Sequence, residues 1–496
     1  MNLKYLKSGT DIRGSAVETA SKSGYDLTDE VVARFTAGFV DFLMKKTGKT
    51  SLLISVGHDS RVSAERISAA VKKELSAFDV DILDCGLCST PAMFMTTVVK
   101  NCDGAVQITA SHHPWDRNGL KFFTRDGGLE SNELDSVIAF AENYTPKGDA
   151  VKNTLKKIDF LADYSAILRD MIKKEVNAEN YEKPLDGFKI IVDAGNGAGG
   201  FYAYDVLEPL GADISGSQFL EPDGMFPNHI PNPENKEAMN FAFRATVNSK
   251  ADLGVIFDTD VDRAGCIDKS GLEINRNRLV ALAAAIALEG NEGGTIVTDS
   301  VTSSGLTDFI NNHLGGKHLR FKRGYKNVID EAIRRNSEGE NTPLAIETSG
   351  HAAFKENYFL DDGAYLVTKI IILAARLRKE GRDLASVISS LKEPEEAEEI
   401  RLNILCENFK EYGQKVIKEL TEYAEKTDGW ILADDNYEGV KVSFDKDNGN
   451  GWFLLRLSVH DPVMPLNIES DEPGGSKIIE EKIRSFLSGY EYLSKF

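Results

Sequence analysis

The sequence reads as a multidomain α/β protein, and three observations carry that expectation. Short apolar runs of strand length alternate with segments of helical periodicity. The chain has 496 residues, room for roughly three domains at about 150 residues each. Several of the apolar runs end in polar loops rich in hydroxyls, carboxylates or His, and sheets of this class place their chemistry beyond the C-terminal ends of their strands.

The elements follow in order. Thr28 to Lys46 sets Val31, Val32, Phe35, Phe39, Phe42 and Leu43 at helical spacing, with Asp29 and Glu30 suited to its first turn. Strands are expected at Leu52 to Val56, Val80 to Leu83 and Gly104 to Thr109, a βαβ-like pattern. The polar stretch Asn143 to Asn153 reads as a linker. A second unit carries strands at Lys189 to Val192 and Leu253 to Phe257. A third has strands at Thr295 to Val297 and Leu344 to Ile346 and a helix from Ala364 to Arg378. The acidic tract Glu393 to Glu399 precedes a last unit, with strands at Val440 to Phe444 and Trp452 to Leu457 and a helix from Lys477 to Leu487. Four units, 1–154, 155–270, 271–392 and 393–496, fit this order better than three.

A net charge of −20 argues against nucleic acid or an anionic membrane as the main partner. Local Arg and Lys clusters leave room for a small phosphorylated substrate. The apolar stretch Leu279 to Leu288 has helical-core length, well short of a membrane span. The opening MNLKYLKSGTDIRG lacks the apolar region of a secretory signal, and five Cys make no disulfide framework. A cytoplasmic, reduced protein is the expectation.

Four loops concentrate the chemistry. Thr109-Ala110-Ser111-His112-His113-Pro114 follows a strand, so Ser111 reads as a nucleophile beside proton acceptors, or as a capped polar turn. Lys121 follows closely and brings a cation within reach of the same loop. Asp258-Thr259-Asp260-Val261-Asp262-Arg263 sets three carboxylates at alternate positions, which repel one another unless a cation neutralises them. An EF-hand is excluded, because Arg263 and Lys269 stand where that loop needs Gly and Glu. A partial oxygen shell completed by a phosphate suits Mg2+. Glu347-Thr348-Ser349-Gly350-His351 suits sugar hydroxyls, and Arg456-Leu457-Ser458-Val459-His460-Asp461-Pro462 suits a phosphate, although Arg456 could instead pair with an acid.

Two further motifs compete with this reading. Gly195-Asn196-Gly197-Ala198-Gly199-Gly200 satisfies G-x-G-x-x-G between a strand and a helix, with Asp213 and Glu221 downstream. It keeps an NAD(P)-dependent oxidoreductase as the alternative, but leaves the serine and three-Asp loops without roles, so a plain Gly-rich turn is favoured. Cys85-Gly86-Leu87-Cys88 lacks the second closely spaced pair of a structural zinc site.

Taken together, the loops resemble the α-D-phosphohexomutase family, the phosphoglucomutase/phosphomannomutase group. Ser8-Gly9-Thr10-Asp11-Ile12-Arg13-Gly14 matches the family's N-terminal Arg motif, and Gly57-His58-Asp59-Ser60-Arg61 its next turn. Thr109 to Pro114 matches the phosphoserine loop and Asp258 to Arg263 the metal loop. Glu347, Ser349, Gly350 and His351, followed by Asp361-Asp362-Gly363, match the sugar loop. His113, Thr259 and Ile346 depart from the family's usual Asn, Gly and Gly. In the C-terminal phosphate loop Val459 and His460 replace Gly and Thr, and Pro465 stands where many members have a second Arg.

The resemblance implies three related α/β domains and a C-terminal α+β domain around a central cleft. It implies interconversion of hexose 1-phosphate and hexose 6-phosphate through a phosphorylated Ser111 and a hexose 1,6-bisphosphate, which also serves as activator. Mg2+ would sit on Ser111, Asp258, Asp260 and Asp262. Lys121, Arg13, His112 and Arg263 would act on the transferring end. Glu347, Ser349, His351, Arg323, Tyr325, Lys326, Arg456, Ser458 and His460 would hold the sugar and the other phosphate, with His460 standing in for the missing hydroxyl donor. A monomer or homodimer is expected. The altered C-terminal loop also leaves open a catalytically weak, sugar-phosphate-binding descendant of the fold.

Overall fold

The computed structural model describes residues 1–20, 23–146, 153–434, 436–458 and 461–494. They form two compact units, Met1–Leu279 with Ser349–Ser386, and Val280–Thr348 with Val387–Phe496.

The first unit opens with a mixed sheet ordered Lys7–Ser8, Asp11–Ser15, Arg117–Thr124, Gly104–Ile108, Leu52–His58, Val80–Leu87, Leu155–Lys157. The last four run parallel, and Arg117–Thr124 returns antiparallel beside Gly104–Ile108. From Leu52–His58 the chain passes to Val80–Leu87 on one side and then to Gly104–Ile108 on the other. The strand order therefore reverses there, and the loops after Leu52–His58 and Gly104–Ile108 open side by side at a topological switch point. The helix Asp29–Thr47, expected from its spacing, is N-capped by Thr28 and buries Val31, Val32, Phe35, Phe39 and Leu43. These join Ile54, Ile82, Val106 and Phe122 in one core.

A second sheet of the same unit pairs Ile190–Asp193 with Leu253–Phe257 in parallel, then Leu253–Phe257 with Ala264–Asp268 antiparallel. The Phe257–Ala264 pair closes that hairpin, so Asp258 to Arg263 is its turn. Arg263 bridges to His351, whose strand Ala352–Phe354 continues into Leu360–Asp361. Asp362 caps the helix Gly363–Lys379 by accepting from Tyr365 N, and accepts the Tyr164 hydroxyl at 2.5 Å.

The second unit contains parallel strands ordered Lys317–Arg320, Thr295–Thr298, Leu344–Ile346. It ends in an antiparallel sheet ordered Glu396–Asn403, Val463–Ser470, Gly451–Leu455, Val440–Phe444, Ile431–Leu432. Helices Phe409–Ala424 and Gly475–Leu487 share one apolar core with it. This is the expected α+β ending. The strand expected to reach Leu457 stops at Leu455, which leaves Arg456 just beyond it. Among the described residues no helix is long and apolar enough to cross a membrane.

Close helix packing in the first unit depends on Gly38, where an added Cβ would stand 2.4 Å from Val137 O. Helix propensity favours Ala over Gly by about 1 kcal/mol, but a clash with backbone cannot relax by a rotamer change, and overpacking costs about 1–3 kcal/mol. Gly38→Ala is therefore expected to lower the first melting transition by a few degrees. A melting temperature at or above that of the parent chain would mean that helices Asp29–Thr47 and Ser131–Asn143 separate freely.

Candidate active site

Ser111 lies just past the strand Gly104–Ile108, 1% exposed, with a left-handed φ of 49° that a non-Gly residue adopts only when its surroundings enforce it. The enforcement comes from the neighbouring loop. Arg61, 2% exposed, donates to the carbonyls of Ser111 and His113, and to those of Pro114 and Arg117 at 2.7 and 2.9 Å. Its Nε lies 3.3 Å from Asp59, which also accepts the Thr109 hydroxyl at 2.7 Å. Thr109 Oγ1 in turn accepts Ser111 N at 2.9 Å. Six hydrogen bonds thus fix one short loop. Gly119 lets the Arg13 strand close on it, because a Cβ there would meet Ile12 O at 2.3 Å and Thr109 O at 2.6 Å.

Ser111 Oγ donates to Asp258 Oδ2 at 3.1 Å and lies 3.3 Å from His112 Nδ1. Asp258, Asp260 and Asp262 each offer an oxygen within 4.8 Å of the others, and all three are buried. Asp260 Oδ1 and Asp262 Oδ1 are buried without a hydrogen-bond partner among the described residues. Val261, between them, is a buried β-branched residue at φ 68°. Hard oxygens converging with unused lone pairs in a strained turn are what a small divalent cation requires.

Lys, Arg and His side chains surround the turn. Lys121 Nζ is 3.2 Å from Asp262 Oδ2, and His351 Nε2 is 3.6 Å from Asp262 Oδ1. Arg263 donates to His351 Nε2 at 3.1 Å and to His112 Nδ1 at 3.0 Å, and its Nε stands 4.0 Å from Asp258. Ser349 Oγ is 3.0 Å from His351 Nδ1. Arg13 lies nearby, paired with Asp11 at 3.0 Å.

The charges split the three carboxyls. Burial, with Asp262 and Asp260 alongside, holds Asp258 well above the ordinary carboxylate range. Burial and Asp262 push Asp260 up to about 6. Asp262 goes the other way: burial opposes its charge, but Lys121, His351 and Arg263 outweigh it and hold the group ionised. Burial and Arg263 push His112 down to about 2, so it is a neutral acceptor, and burial and Arg13 push His113 down to about 3.

The Gly-rich motif resolves against a dinucleotide. A Cβ at Gly197 would meet Thr259 O at 2.5 Å, and one at Gly200 would meet Leu220 O at 2.3 Å. Ala198 N donates to Thr259 O at 2.8 Å. Protein already occupies the positions that would face a pyrophosphate, and the glycines let this turn press on the three-Asp hairpin. The turn leads into a π-helical segment, Tyr202–Leu207, in place of a regular helix. Cys85 and Cys88 are buried free thiols, and burial pushes Cys85 up to about 12.

In the second unit, Glu347 is 3% exposed and accepts Gly324 N at 2.6 Å. Buried Asp299 accepts the Thr348 hydroxyl at 2.7 Å, and burial together with Glu347 pushes it up to about 7. Arg323 N donates to Glu438 at 3.0 Å, Lys326 pairs with Asp330 at 2.8 Å, and Tyr325 begins the helix Tyr325–Ser337. Arg456 faces Glu438 at 3.9 Å, and Ser458 N donates to Val463 O at 2.9 Å. His460 lies outside the described residues. Sequence reasoning missed Arg61, Asp59, Asp299 and Glu438. The motif containing Asp59 and Arg61 was the available signal for the first two; Asp299 and Glu438 had none.

Three family models match successive parts of the chain: phosphoglucomutase/phosphomannomutase alpha/beta/alpha domain I over residues 6–146, domain II over 168–271 and domain III over 275–393. A phosphomannomutase/phosphoglucomutase of Pseudomonas aeruginosa is 29% identical, covering 94% of this chain and 95% of its own. A phosphoglucomutase/phosphomannomutase of Thermococcus kodakarensis is 29% identical, covering 93% and 94%. A solved phosphoglucomutase/phosphomannomutase family protein from Burkholderia thailandensis aligns with a TM-score of 0.79 at 25% identity, covering 99% of this chain and 98% of that one.

The raised carboxyls make metal binding and pH inseparable. In the unfolded chain Asp260 ionises above its ordinary 3.8, but in the fold only above about 6. Through that window the fold holds the extra proton, so metal-free protein loses stability as pH rises. Asp258, also held well above the ordinary carboxylate range by burial and its two neighbours, contributes in the same direction. A divalent cation bound there would replace those protons. The rise in melting temperature on adding Mg2+ is expected to be small at pH 5 and to grow by several degrees, about 3–6 °C, at pH 8. Asp260→Asn should flatten the difference. Equal shifts at both pH values would place the bound cation elsewhere.

Proposed function

The chain belongs to the phosphoglucomutase/phosphomannomutase family, and from that premise we propose that it interconverts hexose 1-phosphate and hexose 6-phosphate of glucose and mannose, with Ser111 as the phosphoryl carrier. The observation that carries the assignment of Ser111 is its Oγ at 3.1 Å from Asp258, in a loop held by Arg61. A nucleophile, an incomplete oxygen shell and flanking cations meet there within one unit. The four loops would come from domains 1–154, 155–270, 271–392 and 393–496.

In the forward step a sugar hydroxyl attacks the phosphorus of phosphorylated Ser111; the new P–O bond forms as the bond to Oγ breaks. The hydroxyl proton leaves and a proton returns to Oγ, so serine is regenerated and the sugar becomes a 1,6-bisphosphate. After the bisphosphate turns around, Ser111 Oγ attacks its other phosphorus. In that step the bond from phosphorus to the sugar oxygen breaks as the new one forms, the serine proton passes to the departing sugar oxygen, and neutral His112, with Nδ1 3.3 Å from Oγ, assists by polar contact beside the transfer. Lys121 and Arg13 meet the charge on the transferring phosphoryl oxygens, and Arg263 keeps His112 Nδ1 in place. Asp258, Asp260, Asp262 and Ser111 would hold Mg2+, which would supply charge neutralisation at the same group. Hexose 1,6-bisphosphate activates by rephosphorylating Ser111 when the intermediate escapes. Glu347, Ser349, His351, Arg323, Tyr325, Lys326, Arg456, Ser458 and His460 bind the sugar and the non-transferred phosphate.

The test is a mutase assay on glucose 1-phosphate and mannose 1-phosphate with bisphosphate and Mg2+. Intact mass should show a phosphorylated fraction that Ser111→Ala removes together with nearly all turnover. A mutase binds its intermediate both ways round, which disfavours any contact specific to the C2 hydroxyl. One lost hydrogen bond costs about 1–3 kcal/mol, so kcat/KM for the two epimers should agree within about 100-fold. Near-parental turnover by Ser111→Ala would refute the carrier role. Sugar-phosphate binding without turnover by the parent chain would favour a binding-only descendant.

A further inference from the structure

Glu438 sits in a turn that no motif marks, yet three groups of the second unit converge on it. Its Oε2 accepts the Ser300 hydroxyl at 2.8 Å and Arg323 N at 3.0 Å, and its Oε1 faces Arg456 Nη1 at 3.9 Å. The side chains of Arg456 and Glu438 are 12% and 16% exposed, so the pair is only partly screened by solvent. Arg456 Nε is buried without a hydrogen-bond partner among the described residues.

The turn is built to deliver this carboxylate. Asn436 closes it by accepting Lys441 N at 2.7 Å and donating to Lys441 O at 3.2 Å. Tyr437 packs on Phe321 with ring centroids 4.9 Å apart. Gly439, at φ 65°, lies against the Arg456 backbone: a Cβ there would stand 2.1 Å from Leu455 O and 2.8 Å from Arg456 Cα. Only glycine allows that approach.

A carboxylate fixed by a backbone N–H and a hydroxyl cannot follow Arg456 if the guanidinium turns to another anion. A phosphate on Arg456 would therefore meet a fixed negative charge. We propose that Glu438 is an affinity-limiting placeholder: it orients Arg456 when no phosphate is bound, and its charge limits how tightly the non-transferred phosphate is held. The inference rests on the assignment of Arg456 to that phosphate in the mutase reading. It also accounts for a need of that reaction, because a bisphosphate gripped too firmly at one end could not be released and turned around.

Glu438→Gln tests this, since the amide oxygen still accepts from Ser300 and Arg323 while the charge is gone. The dissociation constant for inorganic phosphate, measured by calorimetry, is expected to fall at least about threefold, and KM for glucose 1-phosphate with it, while kcat does not rise. Glu438→Asp, which keeps the charge, should show no such tightening. Unchanged or weaker phosphate binding by a folded Glu438→Gln protein would overturn the proposal. A crystal of the parent chain soaked in inorganic phosphate gives a check free of variants: phosphate should sit on Arg456 with the Glu438 separation widened beyond 3.9 Å. Phosphate bound away from Arg456, or with that pair unmoved, would equally overturn it. Phosphate binding needs no turnover, so an inactive parent chain would sink the mutase reading while leaving the calorimetry to judge Glu438.

Discussion

The repulsion among Asp258, Asp260 and Asp262, buried together in one hairpin turn, is the constraint around which the first unit is arranged. Left alone, three buried carboxylates would cost several kcal/mol each to ionise. The surroundings reduce that cost from two directions. Lys121, Arg263 and His351 bring positive or donating groups to within 3.1–4.0 Å of the turn or of one another. Thr90 donates to Asp260 from the first sheet's helix Thr90–Val99. What remains is a preference for a proton on Asp258 and Asp260, and a divalent cation fits where that proton would be.

Holding such a turn requires backbone packed on backbone. Gly197 presses on Thr259, Gly350 on Ala264 O at 2.8 Å, and Gly363 on Arg263 O at 2.7 Å. Gly363 N also donates to Val261 O at 3.0 Å, supporting the residue held at a positive φ. The serine loop follows the same logic with a side chain as the clamp. Arg61 fills it with a planar fork of donors, the geometry that Lys could not reproduce. Both loops are strained, and both are held in place from several independent elements.

This explains which features were legible in the sequence. Leu253 to Phe257 ended where expected, because a continuous apolar run closed by carboxylates has only one reading in a buried strand. Ser111, Lys121 and the three Asp were visible for the same reason: they lie just beyond, or on, strands whose ends define a site. The Gly195 to Gly200 motif was ambiguous because its meaning lies in what each missing Cβ would touch, and Thr259 and Leu220 are distant in sequence. Arg61 stood inside the Gly57 to Arg61 motif, but its four carbonyl partners are known only once Leu52–His58 and Gly104–Ile108 lie side by side. Asp299 and Glu438 were silent, since a single acid at a strand end or in a turn is indistinguishable from solvated charge until its donors are known.

The two units solve opposite problems with the same groups. In the first, oxygens converge with lone pairs to spare, so binding a cation adds partners that the protein lacks. In the second, the successive N–H groups of Arg323 and Gly324, at the start of the helix Tyr325–Ser337, already donate to Glu438 and Glu347. A helix N-terminus with free amides attracts anions strongly; here the amides are taken by carboxylates that stay in place, and Arg456 beside them would pass from Glu438 to a new anion only by exchange. The net gain from such an exchange is small, because each new contact replaces an old one. A site that fills an incomplete shell holds its ligand, and a site that exchanges one anion for another lets it go. Under the proposed reaction, in which the metal stays and the sugar phosphate leaves and returns reversed, that would be the division of labour the chemistry requires.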